Sequence, residues 1–95
     1  MTLRTSKFLM ANLGAEVERI LLWKEKNDQQ MIESARDRAQ KILDQIMGSP
    51  DMSARVKEIK ILNEAISDLA SKTPKYNIVP AHLRGYFAPF AKSAL

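Results

Sequence analysis

Between Ser6 and Lys26 the chain places apolar residues on two sides of one helix. Met10, Leu13, Val17, Ile20 and Leu21 recur at helical spacing, and Phe8, Ala11, Ala15 and Leu22 form a second stripe beside the first. Only a narrow strip through Asn12, Glu16 and Arg19 is polar. Such a helix cannot lie on a core with one broad face in water. It must be the central helix of its domain, or one that also meets another chain. Gly14 falls in its interior, where glycine costs about 1 kcal/mol relative to alanine; close approach of a neighbouring helix would offset that. Trp23 falls near the polar strip, and a C-terminal segment folding back is expected to cover it.

Two more apolar stripes follow at short intervals. Asn27-Asp28-Gln29-Gln30 reads as a turn, with Asn27 capping the second helix and Gln30 completing a capping box. That helix is expected over 28–47, with Met31, Ile32, Ala35, Ala39, Ile42, Leu43 and Ile46 on one face. Its other face mixes Glu33, Arg36, Asp37, Arg38, Lys41 and Asp44, the pattern of a solvated surface. Gly48 suits a left-handed helix end, Ser49 a cap, and Pro50 a first helical turn. The third helix is expected over 50–71, its stripe running through Met52, Val56, Ile59, Leu62, Ile66, Leu69 and Ala70, widened by Ile61 and Ala65. Thr73-Pro74 stops it, because the residue before a proline avoids the helical region. Loops this short join antiparallel neighbours.

The remaining segment holds unusually heavy apolar residues. Lys75 to Val79 reads as extended, and Pro80 then opens a fourth helix, expected over 80–94. Leu83, Phe87, Phe90 and Ala94 share one face of it. Pro89 should disturb this helix by colliding with the carbonyl of Gly85. The expectation is a kinked or two-part element, 80–88 and 89–94. The fold class is therefore all-α: a small antiparallel helical bundle of three main helices plus a short, Pro-kinked C-terminal helix, in a single domain over 1–95. Tyr76, Ile78, Leu83, Phe87 and Phe90 either close the open end of the bundle or pack onto a twin chain.

Composition narrows the function classes. The chain has 95 residues and no cysteine, which excludes disulfides and thiolate chemistry and suits a cytoplasmic setting. No apolar run approaches the roughly 20 residues needed to span a bilayer. The early cations and short apolar patch are interrupted by Asn12, Gly14, Glu16 and Glu18, and read as an amphipathic helix rather than a signal peptide. The formal net charge is +4. Residues 1–71 carry balanced charge, and the surplus lies in Lys72, Lys75, Arg84 and Lys92, in a segment without acids.

No motif for catalysis, phosphate binding or metal binding is present. His82 is the sole histidine, and no acid lies near it in sequence to orient it. Glu16, Glu58 and Glu64 could converge across helices, but nothing in their spacing aligns them. The chain is thus expected to be no enzyme and to hold no cofactor or metal. The leading expectation is a helical protein–protein interaction or self-association module, a homodimer or the adaptor of another protein, with Phe8, Leu22, Trp23, Tyr86, Phe87 and Phe90 as candidate interface residues. The alternative is a nucleic-acid-binding regulator using Lys57, Lys60, Arg84 and Lys92. A membrane-surface role for 80–95 ranks below both, because its charge is low and Pro89 breaks the face.

Overall fold

The computed structural model describes residues 5–94, with side chains as far as Phe90. Four α-helices form: α1 (Ser6–Glu25), α2 (Gln29–Met47), α3 (Val56–Ala70) and α4 (Pro80–Ala94). The described residues contain no strand, so the all-α expectation holds. Helix α1 is the central element. It packs along α2 on one flank and along α4 on another, while α3 lies mainly against α2. Helices α3 and α4 stay apart along most of their length and leave a seam between them.

The helix ends show where local chemistry decided. Thr5 caps α1, its hydroxyl accepting the Phe8 N–H at 3.2 Å. Asp28, not Asn27, caps α2, accepting the Met31 N–H at 3.1 Å. Asn27 instead takes the left-handed conformation, φ 54°, a position asparagine tolerates better than most residues. With the cap moved by one residue, Gln30 no longer stands at the third helical position, and the expected capping box does not form. Gly48 is not left-handed; its φ is −84°. The Ser49 hydroxyl donates back to the Gln45 carbonyl at 3.0 Å rather than capping forward. The chain then enters a 3-10 turn over Pro50–Arg55 before α3 begins. The tighter turn carries Met52 into the core, and the Ser6 hydroxyl donates to Asp51 Oδ1 at 2.7 Å, tying this turn to the start of α1.

The C-terminal end of α3 is held by side chains from the opposite corner. Lys24 Nζ donates to the Leu69 carbonyl at 2.8 Å, satisfying one of the carbonyls a helix end leaves open. The Asp68 carboxylate accepts the N–H groups of Lys75 and Tyr76 at 2.7 and 3.1 Å, pinning the connection to α4.

Helix α4 runs unbroken through Pro89, against the expected two-part element. Contacts on both sides of the proline hold it. Phe87 is buried against α1, and the Arg55 guanidinium stands 5.5 Å from the Phe90 ring centroid. Tertiary packing here offsets the hydrogen bond that proline cannot donate. Leu83 and Phe87 complete a core whose most deeply buried members include Met10, Leu13, Ile20, Leu43, Ile46, Ile59 and Ile66.

Candidate interaction surface

The sequence-predicted interface residues separate into distinct environments. Phe87 is only 6% exposed and belongs to the core of its own chain. Tyr86 and Phe90 are half-buried and pack against that core. The three rings form one cluster, Tyr86 edge-on to Phe87 at 5.1 Å and tilted against Phe90 at 5.8 Å. Phe8 and Leu22 are exposed on α1. Trp23 is half-buried. It lies seven residues beyond Glu16, on the flank of α1 turned to α2. The tail expected to cover it packs on the opposite flank, which carries Gly14 and Leu21.

A polar clasp joins α3 to α4 at one end of their seam. Tyr86 Oη donates to Glu58 Oε2 at 2.6 Å, and the Arg55 guanidinium pairs with the same carboxylate. The Tyr86 bond, followed by the Arg55 interaction, holds the Glu58 carboxyl below its usual range against the opposing effect of burial. Burial, reinforced by the hydrogen bond to Glu58, pushes the Tyr86 phenol well above its ordinary value. Tyr86 is therefore a neutral donor and Glu58 a charged acceptor.

Beyond the clasp the seam opens into a groove of about 450 Å³. Ile61, Leu62 and Ala65 of α3 form one wall, and Val79, Leu83 and Tyr86 stand opposite. Its rim is apolar and exposed: Ile61 is 68% accessible, Tyr76 57% and Val79 47%. Three of the six exposed large hydrophobic residues among those described thus surround one depression. Ile61 and Val79 were not among the sequence-predicted interface residues. The signal for Ile61 was present in its register, since it stands well off the line of Ile59, Leu62, Ile66 and Leu69. Val79 carried no such signal.

The groups considered for chemistry do not come together. The Glu16 carboxylate is buried between α1 and α2, accepting Arg19 Nη1 and Arg38 Nε at 2.9 Å each. Glu58 is in the clasp and Glu64 is exposed on α3. His82 is exposed at the groove edge, its backbone N–H donating to the Val79 carbonyl at 3.0 Å. Among the described residues no group of three His, Cys, Asp or Glu side chains is placed to hold a metal ion. The candidate nucleic-acid contacts are likewise dispersed. Lys57 and Lys60 are exposed on α3. Arg84 is turned toward α1, donating to both carboxylate oxygens of Glu18 at 2.7 and 3.3 Å. The side chain of Lys92 lies outside the described residues. No helix among the described residues is long and apolar enough to cross a membrane.

The sequence matches no protein-family model, and neither a curated protein nor a solved structure matches it.

Proposed function

We propose that this protein is a non-catalytic helical interaction module that associates with a second copy of itself through the groove between α3 and α4. The observation that carries the reading is the concentration of exposed Ile61, Tyr76 and Val79 around one apolar depression. Scattered apolar side chains are ordinary on a protein surface, whereas a contiguous patch marks a place where another molecule sits. The aromatic residues of α4 serve this surface indirectly. By packing on α1 they build the groove's second wall. A cytoplasmic setting, which suits a cysteine-free chain, goes with the proposal. The test is the solution mass of the wild type and of Ile61→Asp by light scattering. The reading predicts a dimer for the first and a folded monomer for the second. A wild type that stays monomeric at the highest reachable concentration would refute self-association, and a dimeric Ile61→Asp would move it to another surface.

A further inference from the structure

The charges along the open edge of the groove say how two copies would meet. Lys57, Ile61, Glu64 and Asp68 follow one another at intervals of four, three and four residues, so they form a single stripe along α3. The stripe is basic at its start, apolar at its centre and acidic at its end. Ile61 is the most exposed large hydrophobic residue described. Lys57 and Glu64 are exposed, and among the described residues neither makes a hydrogen bond or ion pair within the chain. Asp68 differs, because its carboxylate already accepts the Lys75 and Tyr76 N–H groups.

A stripe of this kind is complementary to itself when reversed. From these positions we infer that the partner is a second copy whose α3 runs antiparallel to the first, about a two-fold axis beside Ile61. The midpoint between Lys57 and Glu64 falls between Lys60 and Ile61, so reversal about that point sets Lys57 against the partner's Glu64. The same rotation sets Glu64 against the partner's Lys57, and the two Ile61 side chains meet over the groove edges. Closed two-fold pairing demands this reciprocity, in which one residue meets another and is met by it in turn. A parallel alignment of the two stripes would instead place lysine against lysine and glutamate against glutamate, which complementary interfaces avoid. This inference rests on the self-association proposed above and adds its partner geometry.

The test separates the two. Lys57→Glu and Glu64→Lys are prepared singly, together in one chain, and as a mixture of the two single variants. Each single variant should dimerise about tenfold more weakly, because two modest attractions become two repulsions. The doubly substituted chain should regain wild-type dimerisation. The mixture of single variants should form a heterodimer, seen by sedimentation, that neither forms alone. Matched circular dichroism and melting temperatures would show that all variants fold. If Ile61→Asp abolishes the wild-type dimer while the charge variants and their mixture behave like the wild type, the groove reading stands and the antiparallel geometry is overturned. If the wild type does not dimerise at all, both fall.

Discussion

Gly14 and Phe87 touch so closely across the α1–α4 seam that a Cβ on Gly14 would lie 3.0 Å from both Cβ and Cγ of Phe87. The glycine in the middle of α1 is thus the seat for the aromatic ring that closes the core. Those Phe87 atoms are near its backbone and cannot swing aside as the tip of a long side chain would. Gly14→Ala is therefore expected to destabilise the protein. Overpacking of about 1–3 kcal/mol outweighs the gain of about 1 kcal/mol in helix propensity. Denaturant unfolding checks this, and an unchanged or raised midpoint would contradict it.

Gly85 supplies the opposite case. Nothing lies within 4 Å of a Cβ built there, and the residue is inside α4. Gly85→Ala should raise stability by about 0.5–1 kcal/mol, the ordinary helix benefit. A loss of stability would show that Pro89 needs the glycine beneath it.

Phe87→Ala should cost on the order of 3–5 kcal/mol, as for other fully packed phenylalanines. In that background the penalty of Gly14→Ala should disappear or reverse, since the atoms it met are gone. Thermal melts of the two single variants and the double variant measure the coupling. Additive effects would mean that the two residues do not restrain each other.

The Tyr86–Glu58 clasp predicts a pH signature. A carboxyl whose pKa is lowered by folding adds stability above its unfolded pKa and loses it as pH falls through the folded value. A phenol whose pKa is raised by folding adds stability below its unfolded pKa and loses it as pH rises through the folded value. Tyr86→Phe should cost about 1 kcal/mol near neutrality, a modest figure because Glu58 is more than a third exposed and solvent screens it. The gap between wild type and variant should narrow as pH falls below 4.5, the ordinary carboxyl value. It should also narrow above 10.0, the ordinary phenol value. Denaturation curves across that range would expose a constant gap, which the clasp does not allow.

Glu16 is a buried carboxylate shared by two arginines, of which Arg38 reaches it from α2. Arg38→Ala should cost about 1–3 kcal/mol, because it leaves a buried charge short of a partner. Adding Glu16→Met should recover most of the loss by removing that charge. A double variant as unstable as Arg38→Ala alone would place the effect elsewhere.

How much of this was legible in the sequence depended on the range of the force involved. The four helices followed from apolar periodicity, because one face of each had to be buried whatever its neighbour. Loop chemistry was legible only in part. The turn at Asn27-Asp28 was visible, but which of the two residues would cap rested on a local competition that spacing does not resolve. Pro89 showed the limit most clearly. Its local preference points to a break, yet Phe87 on Gly14 and Phe90 beside Arg55 hold the helix through it. Those are contacts between residues far apart in the chain. The groove was hidden for the same reason, since Ile61, Tyr76 and Val79 become one surface only once α4 has docked on α1.

The central claim is that the aromatic helix is a wall of the core and, in that role, builds the surface on which two chains meet. Light-scattering mass and circular dichroism of the full chain and of a chain ending at Thr73 test it most directly. The account predicts a folded dimer for the full chain, and an unfolded or aggregating product once α4 and its rings are gone. A shortened chain that is a well-folded monomer would contradict it, because α4 would then be a detachable interface rather than part of the bundle.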